Sequence, residues 1–339
     1  MKTHPLVAGL TLALASTLCL TGCSTSAHED DAQSSSTATT AQPSAYPATV
    51  MSCTEKLTFT EAPKRVLILG DTNAPTLSML DLLDRVTMRT GKIDTTGYDV
   101  NTATKLMSLP EMKSGTTTLG GGASVATESI LDAHIDLVIG YDEGLDRAAL
   151  RKAGVKVYAP DTFCPHGTGT DHASFDLVTK EVNTIGDILG VPDKARTLND
   201  ELTGQVKDLT SQASKDSQHS AAALWVEPGN SGFYTYGTSS MVQPILEANG
   251  LRNVYDGERK RVFDTTMEDV LKRNPEWIVL LAQEGDIAKT KPAFLKYKGA
   301  SQLQAVRKNQ VVVIPFSLTD PPTPQSIKGA VELNKLLKK

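Results

Sequence analysis

VATESILDAHIDLVIG (Val125–Gly140) and TTMEDVLKRNPEWIVL (Thr265–Leu280) share one grammar. In each, a Glu (Glu128, Glu268) is followed two and three residues later by an apolar pair, Ile130-Leu131 or Val270-Leu271. Eight residues after that Glu stands an acid, Asp136 or Glu276, and then an apolar, strand-like run. The two phrases lie 140 residues apart. A short acidic helix feeding a buried strand, in the same register twice, predicts one βα unit used once in each of two lobes.

The chain on either side keeps that alternation. KRVLILG (64–70) reads as a buried parallel strand, and APTLSMLDLLD after it as a helix with one apolar face. RVTMRT, IDLVIG and VKVYAP are further strands, with the helix GLDRAALRKAG before the last of them. The strands then stop. ASFDLVTKEVNTIGDIL (173–189) places Phe175, Leu177, Val178, Val182, Ile185, Ile188 and Leu189 at helical spacing with no internal Pro. A second helical segment opens on Pro192, a favourable first-turn residue. The βα pattern resumes with AAALWVE (221–227), EWIVLLA and QVVVIP. The fold class is therefore α/β. A first lobe (51–173) and a second (192–339), each on a mostly parallel sheet, are joined by a single long helix (174–191).

The first 22 residues are read as a targeting segment. Lys2 is their only formal charge, and the apolar run after it is of signal-peptide length, short for a membrane span. The run ends Leu20-Thr21-Gly22-Cys23, which resembles the lipobox of bacterial lipoproteins. That resemblance implies a lipidated Cys23 as the mature N-terminus and a cell-membrane location on the extracytoplasmic face, by acyl chains alone; the alternative is an ordinary cleaved signal with Cys23 incidental. Residues 23–50 are Ser, Thr, Ala, Asp and Pro with few large apolar groups, and read as a disordered tether. As a flexible coil it reaches roughly 25–30 Å.

The whole chain carries a net charge of −5 over 339 residues. No basic stripe interleaved with aromatics is present, which excludes nucleic acid as an expected partner. Of the four Cys, Cys19 leaves with the signal and Cys23 is the anchor. Cys53 and Cys164 remain, an even pair in an oxidising compartment, and a disulfide between them is expected. No catalytic motif survives inspection: GNSGF and GTSSM miss the nucleophile-elbow spacing, and GGGAS lacks the Lys of a phosphate loop. The six His form no H-x-x-x-H or H-E-x-x-H, so no metal site is expected. In the Gly-rich loop CPHGTGTDH, His166 and His172 are weighed as ligands against a solvated loop.

Four phrases together resemble a known family. TFTEAPKRVLILG with APTLSMLDLLDRV, then ATESILDAHIDLVIG, then YTYGTSSMVQPILEANGLRNVY, then MEDVLKRNPEWIVL are similar in kind and order to the substrate-binding proteins of ABC importers for iron–siderophores, haem and vitamin B12. The likeness covers about residues 51–339; His134-Ile135 departs from the family's usual Lys-Pro, at no expected functional cost. It implies two α/β lobes on a rigid helix hinge, a small closure on ligand, and no enzymatic activity. It also implies that Glu128 and Glu268, one per lobe, dock on Arg residues of an ABC permease dimer, where carboxylates read guanidinium geometry well. A competing role for Glu268 is local: Thr265-Thr266-Met267-Glu268 reads as a capping box. Glu128 has Val125 at the corresponding place and lacks that role.

Ligand residues are expected in loops at the carboxyl ends of strands. Those loops carry Arg89, Tyr141, Trp225, Glu227, Tyr236, Arg261 and Phe316. Arg with aromatics suits an anionic, partly apolar chelate. A ferric siderophore is the expected cargo of a monomeric protein without a resident cofactor. Haem and a corrinoid are the alternatives within the family, and Tyr236, before the Gly of the YG phrase, suits either iron ligand. From another class, the alternative is an exported two-lobe enzyme acting on a small polar substrate.

Overall fold

A computed structural model describes residues 45–115, 124–141, 144–164, 171–212, 219–229 and 232–338. The signal and Cys23 lie outside them, as do the Gly-rich stretch 118–123 and His166. The described chain opens with an antiparallel hairpin, β1 (Ala48–Ser52) and β2 (Glu55–Phe59), whose alternating burial puts Val50, Leu57 and Phe59 into the first lobe. β1 thus begins three residues inside the segment expected to be tether, because Ala48 and Val50 find an apolar face to cover.

The first lobe then runs β3 (Val66–Leu69), α1 (Ala74–Met79), β4 (Val86–Thr90), α2 (Val100–Ser108), β5 (Glu111–Met112), α3 (Thr127–Asp132), β6 (Leu137–Ile139), α4 (Arg147–Lys152) and β7 (Lys156–Tyr158). Its sheet is wholly parallel in the order β5-β4-β3-β6-β7. Every residue of β3 and β6 is buried, as expected for strands covered on both faces. The chain crosses to opposite sides of β3, so the ends of β3 and β6 form a switch point where ligands of such sheets lodge.

Two helices follow, α5 (Asp176–Leu189) and α6 (Pro192–Gln212). Val178, Val182, Ile185, Ile188 and Leu189 form the buried stripe of α5, and Gly190 ends it in the left-handed conformation. The helices cross closely at Gly186, where a Cβ would lie 2.5 Å from that of Ala195. Glu181 ties α5 to the first lobe by accepting from Asn73 Nδ2 (2.8 Å) and the Tyr158 hydroxyl (2.7 Å).

The second lobe comprises β8 (His219–Val226), β9 (Phe233–Tyr236), α7 (Val242–Glu247), β10 (Leu251–Asn253), β11 (Val262–Thr265), α8 (Met267–Arg273), β12 (Trp277–Ala282), α9 (Ile287–Leu295), α10 (Gln304–Arg307), β13 (Val311–Pro315) and α11 (Pro324–Leu337). Its sheet runs β11-β9-β8-β12-β13, with β10 against the start of β8. β9 is antiparallel to β8 and β11; the other pairs are parallel.

The repeated phrase holds down to the backbone. Asp136 Oδ2 and Oδ1 accept the amides of Lys64 and Arg65 at 2.8 and 3.0 Å, just before β3. Glu276 Oε2 accepts the amide of Ser220 at 2.9 Å, in β8. Each acid thus pins the start of the central strand that its own strand pairs with. His134 (φ 52°) and Asn274 (φ 41°), also 140 residues apart, both take the left-handed conformation that turns helix into strand.

Candidate functional site

The strand ends of both lobes meet at one boundary. Thr95, in the loop after β4, donates its amide (3.0 Å) and hydroxyl (2.6 Å) to Glu284 Oε1, in the loop after β12. Lys92 lies 3.4 Å from the other oxygen of Glu284. Beside them, Lys328 Nζ on α11 donates to the Gly97 carbonyl at 2.5 Å. Near these contacts lies a partly open recess of about 30 Å³ whose lining includes Asp71, Asp94 and Tyr98 from the first lobe and Ser317, Asp320 and Gln325 from the second.

Several expected ligand residues gather on the second lobe's side. Tyr236 is buried with its ring 6.3 Å from Phe316, and Trp225 packs partly buried on the same apolar cluster. Burial, and then the Asp320 carboxylate, raise the Tyr236 hydroxyl well above its ordinary pKa, while Arg261 opposes them. Arg261 stands 3.7 Å from Asp320 Oδ2, and Asp320 Oδ1 accepts the Met241 amide at 3.0 Å. The YG phrase has a steric reason: a Cβ on Gly237 would lie 2.2 and 2.4 Å from the carbonyls of Glu258 and Lys260. Glu227 is exposed just beyond β8.

Two other expected residues are engaged within the first lobe. Arg89 is buried, donates to the Gly91 carbonyl and pairs with Glu111 at 3.2 Å. Tyr141 stacks on Phe163 at 5.2 Å. His172, weighed as a ligand, lies 3.2 Å from Glu247. Among the described residues no group of three or more His, Cys, Asp or Glu is arranged to hold a metal ion.

Cys53 and Cys164 form the expected disulfide, Cα atoms 5.3 Å apart, fastening the hairpin to the segment after β7. Glu128 and Glu268 are exposed in the first turns of α3 and α8, without a hydrogen-bond or ion-pair partner among the described residues. The capping role expected for Glu268 is corrected. Thr266, not Thr265, caps α8, and its hydroxyl accepts the amide of Asp269 at 3.2 Å. Asp269 is therefore the third helical residue, and its carboxylate is held by Arg273 at 3.0 Å. A one-residue shift of the cap removes Glu268's structural duty.

Sequence reasoning passed over Asp71, Asp94, Glu284 and Asp320. The strand-end rule covers all four, since each follows an apolar strand within a few residues. Applied mainly to cations and aromatics because an anionic ligand was expected, the rule took in Glu227 as its one acid.

A cleft closed by loops of two α/β lobes, on a helical hinge, with aromatics beside it, defines a solute-binding protein. The sequence pattern of the family described as Periplasmic binding protein matches residues 66–318, and the chain belongs to that family. It is accordingly a binding protein and not an enzyme. A curated relative, "Uncharacterized ABC transporter substrate-binding lipoprotein YvrC" of Bacillus subtilis, is 25% identical over 321 residues, 93% of this chain and 91% of the relative. The structure described as an "ABC-type Fe3+-hydroxamate transport system" from Saccharomonospora viridis is 33% identical, with a TM-score of 0.78 over 87% of this chain and 100% of that one. The haem-binding protein HutB of Vibrio cholerae is similar in fold at 16% identity, with a TM-score of 0.63 over 81% of this chain and 99% of its own.

Proposed function

We propose that this protein is an extracytoplasmic substrate-binding lipoprotein that delivers a ferric siderophore to an ABC permease dimer. The observation that carries the reading is the cleft itself. Tyr236, Trp225 and Phe316 form an aromatic wall beside Arg261 and a partly open polar recess, which suits a chelate with an organic rim and polar donors. Glu227, Tyr141 and Arg89 complete the expected contact set. The iron–hydroxamate title of a relative at 33% identity supports an iron chelate over haem or a corrinoid.

In this reading Cys23 carries the lipid, the segment between Cys23 and β1 tethers the monomer to the membrane, and Glu128 and Glu268 dock on the permease. Both Glu are exposed and unpaired at matching positions, one on each lobe. No helix among the described residues is long and apolar enough to cross a membrane. The lipoprotein title of the Bacillus subtilis relative agrees.

Titration of the purified protein with ferric siderophores and haem, followed by Trp225 fluorescence against a Trp225→Phe control, tests the cargo. Saturable quenching by a ferric siderophore, with the chelate recovered unchanged, is expected. Saturable binding of haem alone overturns the cargo assignment. For docking, Glu128→Ala with Glu268→Ala should abolish iron uptake by cells while leaving chelate affinity intact; a loss of affinity refutes that role.

A further inference from the structure

The strand ends that build the cleft are unusually acidic. The loops after β3, β4, β8, β12 and β13 carry Asp71, Asp94, Glu227, Glu284 and Asp320 respectively. The nearby cations are committed: Lys92 to Glu284, Arg261 to Asp320 and Arg89 to Glu111. No Lys or Arg lines the recess, but three Asp do.

Independently of charge, the recess presents buried oxygens that lack a donor. Asp320, 4% exposed, leaves Oδ2 without a hydrogen bond, with Arg261 at 3.7 Å from it. Gln325, 7% exposed, leaves Oε1 without one, and so does the Ser317 hydroxyl. Buried acceptors left unpaired are costly, so the site is suited to a guest that brings donors. Three acceptors and surplus negative charge match a primary ammonium, which has three N–H donors and one positive charge. A recess of about 30 Å³ has room for a group of that size. A bare divalent cation fits less well, since the carboxylates do not converge at metal-binding spacing among the described residues.

We propose that this recess receives an organic ammonium, and hence that the cargo is a ferric hydroxamate bearing a free primary amine. The inference rests on the ferric-siderophore reading above and narrows it. Three hydroxamates neutralise Fe³⁺, so the chelate core is uncharged and a terminal ammonium is its only charge. Carboxylate and catecholate chelates are anionic and would face Asp71, Asp94 and Asp320 at close range. Burial pushes the Asp71 carboxyl up to about 6, so it remains ionised at neutral pH.

The test uses two ferric chelates of one linear trihydroxamate, one ending in a primary amine and one N-acetylated there, with a ferric catecholate as third arm. Calorimetric titration at pH 7.5 should show the amine form binding at least about tenfold more tightly than the acetylated form. Asp320→Asn and Asp71→Asn should each reduce that ratio toward one. Should Asp320→Asn fail to fold, Asp71→Asn carries the test. Equal affinity for the two hydroxamates, or a preference for the catecholate, overturns the ammonium inference and leaves the siderophore reading standing. A ratio unchanged in the folded variants overturns the assignment to this recess. Saturable binding of none of the three overturns both readings.

Discussion

Glu284 accepts both the backbone N–H and the hydroxyl of Thr95, across 189 positions of sequence, and so fastens the second lobe to the first at the mouth of the cleft. The Thr95 hydroxyl is foremost among the donors that hold the Glu284 carboxyl below the usual carboxylate range. The contact joins two strand-end loops, so it reports on closure more than on the stability of either lobe.

Glu284→Ala removes that clasp. Hydrogen bonds to a charged group contribute roughly 1.5–3 kcal/mol, discounted here for partial exposure to about 1–2. Chelate affinity should fall about fivefold to thirtyfold, and small-angle scattering should show a larger radius of gyration. An unchanged affinity and radius would mean that Glu284 plays no part in closure.

Glu181 sits buried on the hinge helix α5 between Asn73 and Tyr158, with Asp161 and Lys180 the charged groups nearby. Burial pushes its carboxyl from 4.5 up to about 7, against the Tyr158 and Asn73 hydrogen bonds. A raised folded-state pKa contributes stability that is complete below 4.5 and is lost as pH rises through about 7. Glu181→Gln should therefore gain relative to wild type between pH 5 and pH 8 by up to about 2–3 kcal/mol. Urea unfolding at the two pH values checks the sign; a gap that stays constant would show that Glu181 does not titrate in this window.

The Cys53–Cys164 bridge spans 111 residues and holds the hairpin β1–β2 against the first lobe. Replacing both Cys by Ala should destabilise the protein by about 2–5 kcal/mol. Reductant should shift the melting curve of the wild type toward that of the double variant and leave the variant's unchanged.

Asp71 faces Asp94 and Glu284, with Tyr98 alongside and Lys92 held by Glu284. With its carboxyl at about 6, chiefly through burial, it loses its negative charge as pH falls through that value. Affinity for the amine-bearing hydroxamate should drop about threefold or more between pH 7.5 and 5, while that for the acetylated form stays level. Parallel profiles for the two would exclude Asp71 as a partner of the ammonium.

Much of this architecture was readable in the residues. The echo of Glu128, His134 and Asp136 in Glu268, Asn274 and Glu276 gave two lobes, because each βα unit is short and its bonds are local or reach only the adjacent strand. Val178 through Leu189 gave the helix between the lobes by their spacing. The cap of α8 was misplaced by one residue, since Thr265 and Thr266 are equivalent caps until β11 claims Thr265 for its pairing with Phe233. Arg89 stands at the strand end where a ligand residue is expected. That it pairs with Glu111 was not readable, because Glu111 stands on β5, which only the sheet order brings beside β4.

The sequence by itself determined the α/β alternation, the central helix, the pairing of the two Cys and the exposed acids on matched helices. All of these follow from periodicity or from counting. Only the tertiary structure decided which strand ends meet. Thr95 with Glu284, and Asp71 with Asp320, are joined by how two lobes turn on one helix. That orientation is set by packing across the whole interface, so no local pattern records it.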